Sequence, residues 1–337
     1  QRADMAARIL RGMSLTRDFP PLIVLLGHGS QSANNPQAAG LDCGACCGQS
    51  GEINARLLAD LLNDAEVRSA LCEQGIDLPA DCRVLAGLHN TSTDEIQVLA
   101  SDALPAELQP SWQALRQALN QAGESARRER AALLGLDHLR DKPVKLLTSL
   151  RRRAADWAQT RPEWGLAGNA GFIAAPRART RGHNLQGRVF LHDYDWRQDA
   201  EGQVLALIMT APMVVANWIN LQYLTSTTDN LRFGSGNKVL HNVVGGRIGV
   251  FEGNGGDLRI GLARQSLHDG QRWVHRPLRL SVVIEAPQAM LDKVITEHAA
   301  VRDLVMHGWL HLLRIDSDCA DILERRTVDG WQPVPVN

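Results

Sequence analysis

No cysteine occurs before Cys43, and five of the six fall between Cys43 and Cys82. That crowding excludes a spread disulfide framework. Cys43, Cys46 and Cys47 cannot easily pair with one another, which favours a reducing compartment with thiols free for metal. Net charge is only −1, so no global field draws the chain to nucleic acid or to a membrane surface. The opening residues, QRADMAARILRG, lack the long apolar core of a signal peptide. No uninterrupted apolar run reaches the ~20 residues of a bilayer-spanning helix. The nearest, Val204 to Leu221, is broken by Pro212, Asn217 and Asn220. It reads as a buried helix or, alternatively, as a surface that docks on a membrane partner. No G-x-x-x-x-G-K-[ST] pattern marks a phosphate loop in the glycine-rich later half. What remains is an ordinary composition, 44% apolar and 22% charged over 337 residues, enough for a large core and one or two domains.

The chain is organised around Leu22 to Asn63. An apolar run, Leu22 to Leu26, gives way to Gly27-His28-Gly29-Ser30, then to a polar loop with Asp42-Cys43-Gly44-Ala45-Cys46-Cys47. A helical pattern follows, with Ile53, Leu57, Leu58, Leu61 and Leu62 on one face. This spacing predicts a buried strand, a loop carrying His and Cys, and a helix. In open α/β sheets ligands bind at the carboxyl ends of strands, which is where His28 and Cys43 would lie. Imidazole and thiolate are the ligands zinc prefers, and a tetrahedral site needs several. His28 and Cys43 are the candidate metal ligands. Asp42, Cys46 and Cys47 are further candidates, or groups that orient the ligands. The alternatives are a buried apolar cysteine, a hydrogen-bonded structural histidine, or a reactive thiol.

Further along, Asp4 to Met13 and Ala65 to Gln74 read as helices, and Gly75 as a helix stop. Arg83 to His89 reads as a second strand, followed by a polar turn at Asn90 to Glu95. This repeats strand, turn and helix, and right-handed crossovers would put both strands in one parallel sheet. His89 then stands at the second strand end. It either hydrogen-bonds its turn or serves as a supporting group or proton shuttle for the His28 crevice. Leu104 to Thr160 reads as mainly helical. Arg127 to Arg188 holds fourteen Lys and Arg against five Asp and Glu, a local +9. This is a solvated face by default; contact with anionic headgroups or attraction of an anion are the functional readings. Nucleic acid is excluded as a partner, since no binding module or interleaved aromatics accompany the arginines. Trp164 to Asn184 reads as a loop or packed linker, and Arg188 to Asp195 as a strand. Glycine-punctuated hairpins are expected from Asn217 to Gly261, where His241 and Asn242 could approach the crevice. Arg279 to Glu285 is expected to be a buried strand, Met290 to Val305 a helix and Gly308 to Ile315 a last strand. Asp316 to Asn337 reads as a tail, with Cys319 structural.

The stretch GHGSQSANNP, then LDCGACCGQSGEINAR, resembles the signature of the DabA family of inorganic carbon transporter subunits. A block from Asn217 to Leu262 and the segment HRPLRLSVVIEAP, His275 to Pro287, are similar to the same family. The resemblance runs over essentially the whole chain and matches the carboxyl-terminal part of a family member. It implies a zinc site like that of β-carbonic anhydrases, with ligands from a Cys-x-Asp pair, a His and a Cys. His28 matches the ligand histidine and Cys43 the second ligand cysteine. The Cys-x-Asp pair lies far upstream in the family and has no counterpart here. Either another chain supplies it, or metal binds weakly, or Asp42 or Cys46 substitutes.

The fold class that follows is α/β, a parallel-stranded, β-carbonic-anhydrase-like unit with added helical and glycine-rich β segments. Its expected divisions are residues 1–165, the zinc-site unit with a helical region, and 166–337, a mixed α/β region packed on it. The function implied by the resemblance is a Zn2+-binding subunit of an energy-coupled pump that hydrates CO2 to bicarbonate. Its expected partner is the membrane subunit DabB, with attachment peripheral, on the cytoplasmic face of the inner membrane. Two other classes stay open: a scaffold module with a structural metal or none, and a thiol enzyme using Cys43 or Cys46.

Overall fold

The computed structural model describes residues 1–34, 41–43, 46, 48–159, 164–236, 244–245, 248–249, 261–316 and 322–335. The chain divides into two compact units. One comprises Gln1–Arg8, Thr16–Gly165 and Asp229–Arg272, the other Ile9–Leu15, Leu166–Thr228 and Trp273–Asn337. Both mix helices with sheets that contain parallel strands.

After helix α1 (Arg2–Gly12), the first unit is built on strand β1 (Leu22–Gly29), helices α2 (Glu52–Asn63) and α3 (Ala65–Glu73), and strands β2 (Arg83–Asn90) and β3 (Glu95–Val98). β1 and β2 pair in parallel from Leu22↔Arg83 to Gly29↔Asn90, as the repeated strand pattern predicts. β3 then departs from the expectation. The polar turn after β2 leads not to a helix but back as an antiparallel strand, with Asn90 opposite Glu95. A four-residue reversal with Asp94 in the left-handed region (φ 53°) makes the hairpin. Helices α4 (Gln109–Arg130) and α5 (Pro143–Ala155) follow. Trp112 of α4 joins Leu85, Leu104 and Leu108 in a core against Leu22, Val24 and Val98. Asp64 caps α3 by accepting from the backbone of Glu66 and Val67 at 2.9 and 3.1 Å, and Gly75 (φ 80°) lies just past its end.

Helix α2 contradicts the apolar face read from its sequence. It buries Ala55, Ala59, Leu61 and Leu62, while Ile53 and Leu57 are 66% and 62% exposed. The reason lies at its start. A Cβ on Gly27 would fall 2.3 Å from the backbone of Gly51, so strand and helix backbones touch there. At that separation only small side chains fit between them near the helix start, where Ala55 turns inward and Ile53 and Leu57 turn outward; Leu61 and Leu62 are buried farther along.

The second unit holds strands β4 (Gly171–Ala175) and β5 (Val189–Asp193), helices α6 (Gln203–Thr210) and α7 (Pro212–Thr228), strand β6 (Leu280–Glu285), helices α8 (Gln288–Glu297) and α9 (Ala299–Met306), and strands β7 (Leu310–Ile315), β8 (Leu323–Thr327) and β9 (Gly330–Pro333). Its six-stranded sheet runs β9-β8-β7-β6-β4-β5, with β7, β6, β4 and β5 parallel and β8 and β9 antiparallel. Alternate residues of β6 and β7, among them Leu280, Val282, Leu310 and Leu312, meet Leu205, Ile208, Leu291 and Val301 in the core. Two readings fail here. The expected linker contains β4, a central strand, because Phe172, Ala174 and Ala175 are buried on both faces of the sheet and show no alternation. The expected tail contains the β8–β9 hairpin, held by Arg314 of β7 pairing with Glu324 and Asp316.

Only Ala211 separates α6 from α7, and the 26 residues Gln203–Thr228 contain an 18-residue window with a mean hydropathy of 1.8. By length and composition this stretch could cross a bilayer, against the expectation that it is too short; 39% of its most apolar window is buried. The glycine-rich block departs from the hairpins expected from Asn217: α7 runs on to Thr228 and a short helix covers Asn230–Phe233, while farther along the described residues hold the short ladder of Val244–Gly245 with Ile248–Gly249. His241, Asn242, the piece from Leu258 to Ile260, Cys47 and Cys319 lie outside the described residues.

Candidate functional site

The expected strand end is longer than its apolar run. β1 continues through Gly27 to Gly29, so His28 sits inside the strand, directly beside His89 of β2 in register. The backbone of Gly51 donates to the carbonyl of His28 at 2.8 Å, which ties the start of α2 to the same strand end. Gly29 also needs its missing side chain, since a Cβ there would lie 3.0 Å from Ser50 Cβ. Gly27 and Gly29 therefore serve close approach to neighbours rather than a tight turn around His28.

Asp42 returns to this end. Its Oδ1 accepts from Ser30 N at 2.7 Å and from Ser30 Oγ at 3.0 Å. Cys43, the next residue, forms an isolated antiparallel bridge with Gln49, its N donating to the Gln49 carbonyl at 3.1 Å. Cys46 lies just beyond, its Sγ accepting from Asn54 Nδ2 of α2 at 3.2 Å. The His28 ring is half-buried. Burial pushes its pKa below the usual histidine range, the neighbouring His89 pushes the same way, and the Asp42 carboxylate opposes both. The neutral ring, the form that can bind metal, is thereby favoured.

His89 is held from the other side. Its Nε2 lies 3.2 Å from Asp94 Oδ1. Asp94 pairs with Arg130 through its other oxygen. Arg127, buried on α4, donates to the carbonyls of Thr93 and Asp94 at 3.2 and 3.0 Å. A Cβ on Gly123 would meet the Asp94 carbonyl at 2.3 Å, so α4 presses directly on the turn. Sequence reasoning missed Asp94, Arg127 and Arg130 as a unit and counted both arginines among a solvated positive face. That face is largely spent on internal partners: Arg151 pairs with Glu95, Arg128 with Asp141, and Arg179 with Glu285. No local pattern in the sequence marks this unit, since the turn and the two arginines lie more than thirty residues apart.

Among the described residues, no group of three or more His, Cys, Asp or Glu side chains is arranged to hold a metal ion. The donor set at this strand end, an imidazole kept neutral, a carboxylate and cysteine thiols, suits zinc chemically.

A mixed α/β protein with paired histidines at one end of two parallel strands is the class these features define. The family model described as "Probable inorganic carbon transporter subunit DabA" matches residues 1–310. Proteins of that description are 77% identical in Ectopseudomonas mendocina (strain ymp), over 98% of this chain and 41% of that protein. In Paracidovorax citrulli the identity is 61%, over 98% of this chain and 40% of that protein. In Acidithiobacillus ferrooxidans it is 58%, over 99% and 40%. The chain belongs to the DabA family. It spans about two fifths of the length of these curated relatives. No solved structure matches it.

Proposed function

We propose that this chain carries part of the zinc site of an inorganic carbon pump subunit that hydrates CO2 to bicarbonate, working with a membrane subunit, DabB. The observation that carries the reading is the convergence of His28, His89 and Asp42 at one end of the β1–β2 pair, with Cys43 folded back beside Asp42. His28 and Cys43 are the ligands contributed here, and the upstream Cys-x-Asp pair of the family completes the site in a β-carbonic-anhydrase-like arrangement. A bound zinc supplies the Lewis acidity that brings water deprotonation into the neutral range.

The chain's own residues orient that chemistry. Ser30 fixes the Asp42 carboxylate. His89, braced by Asp94 and Arg130, stands beside the ligand imidazole, where it can hand protons to solvent. The β1 leucines give one apolar wall, but Leu26 is 45% exposed, so sealing against water needs a covering segment. The Asn54 amide at Cys46 weighs against a thiol enzyme, which would set a base there. Attachment to a membrane is supported by Gln203–Thr228, which points Trp218 outward at 64% exposure.

The test is zinc content by elemental mass spectrometry on the chain alone and joined to the upstream half. Stoichiometric zinc in the joined protein, lost in His28→Ala and in Cys43→Ala, is the expected result. Zinc retained in both variants sinks the ligand assignment.

A further inference from the structure

A second set of buried groups, in the other unit, has no part in that reading. Helix α7 turns Asn217, Asn220 and Tyr223 inward on successive turns, with both asparagines at 0% exposure. Asn220 Nδ2 donates to the carbonyl of Asn169 at 3.2 Å. One residue earlier, the backbone of Gly168 donates to His275 Nδ1 at 3.0 Å. The fully buried His275 ring lies 5.1 Å from the ring of Tyr223. These contacts join Asn169, Asn220, Tyr223 and His275 into one neighbourhood, and Asn217 lies one helical turn before Asn220 on α7.

Five polar atoms in it have no hydrogen-bond partner among the described residues: Asn217 Oδ1 and Nδ2, Asn220 Oδ1, Asn169 Nδ2 and His275 Nε2. A buried polar atom left unpaired costs about 1–3 kcal/mol, and native interiors hold few. Since His275 Nδ1 accepts from a backbone N–H, the proton of the neutral ring is on Nε2. The cluster thus offers three donors and two acceptors. No carboxylate takes part in these contacts, and Arg188 is close by, donating to the Gly168 carbonyl at 2.7 Å. Three N–H donors and a nearby guanidinium disfavour a metal cation. Two carbonyl acceptors disfavour a fully ionised dianion.

We propose that Asn169, Asn217, Asn220 and His275 form a buried site for a small planar oxyanion that keeps one hydroxyl, the chemistry of hydrogen carbonate. Its bare oxygens accept from Asn169, Asn217 and His275, and its hydroxyl donates to an asparagine Oδ1. The site does not rest on the zinc reading, since its donors and acceptors stand whatever His28 binds. In the empty site, burial and then the Arg188 charge hold His275 neutral, down to a pKa of about 4. A bound anion raises that value.

The experiment is ring-15N histidine NMR of the whole chain at pH 8, with the His275 signal assigned by its loss in His275→Gln. Sodium bicarbonate, nitrate and formate are titrated against chloride at constant ionic strength. A saturable bicarbonate shift at His275 is expected, with nitrate and formate at least tenfold weaker because neither carries a hydroxyl. Asn217→Ala, shown folded by its melting curve, should weaken bicarbonate at least tenfold, while His28→Ala leaves the shift in place. Shifts no larger than with chloride mean ordered water only and overturn the proposal. Equal response to all three oxyanions, or loss of the shift in His28→Ala, overturns it as well.

Discussion

Around the ends of β1 and β2, most buried and half-buried polar groups find partners, with Ser32 Oγ, Thr93 Oγ1 and Arg127 Nε left unpaired among the described residues. Asp94 takes His89 and Arg130, Arg127 takes two carbonyls, and Asp42 takes Ser30 twice. In the second unit, Asn217, Asn220, Asn169 and His275 lie as deep, and five of their atoms have none. The two histidines feel the difference. Burial lowers both, but Asp42 opposes the effect at His28, whereas no carboxylate does so at His275. A polar interior closed by its own partners is a rigid platform that contributes to stability. One left open lowers stability until something fills it.

That contrast can be broken by substitution, and the largest effect falls on the closed cluster. Asp94→Ala strands Arg130 and frees the turn, and should cost about 4 kcal/mol in denaturant unfolding; a loss under ~1 kcal/mol would mean the pairing is incidental. Next comes acid. The folded pKa of His275 lies below its unfolded value near 6.5, so its contribution is whole above pH 6.5 and is lost as pH falls toward 4. Unfolding free energy should drop by about 3 kcal/mol across that window, beyond any drop in His275→Gln. Gly27→Ala forces the strand off Gly51 and should cost about 2 kcal/mol, while Gly29→Ala, which meets side chains and no backbone, should cost less. The smallest effect has the opposite sign. Asn217→Leu removes two unpaired atoms and should raise the ligand-free melting temperature, a gain of about 1 kcal/mol; a loss like that of Asp94→Ala would show that Asn217 is already paired.

What the sequence made legible follows the same division. β1, β2, α3 and β6 were readable because apolar runs and turn residues are local signals, and the parallel pairing followed from them. The inward face of α2 was not, because it depends on Gly27 meeting Gly51 across distant chain. α7 misleads for a related reason: it sends asparagines inward and Trp218 outward, the reverse of an amphipathic helix. β4 hid in a glycine- and alanine-rich segment, and the β8–β9 hairpin in a stretch dominated by charge. At the β1–β2 end, His28, Asp42, Cys43 and Cys46 could be named as candidates from residue type and spacing. The brace of Asp94, Arg127 and Arg130 could not, since it joins a turn to a helix more than thirty residues away.

The most direct test of the central claim is zinc K-edge X-ray absorption on this chain joined to the upstream half. A four-coordinate zinc with mixed sulfur and nitrogen or oxygen ligands is expected, with imidazole scattering that disappears in His28→Ala and a sulfur count that falls by one in Cys43→Ala. Identical spectra in the parent and both variants would contradict it.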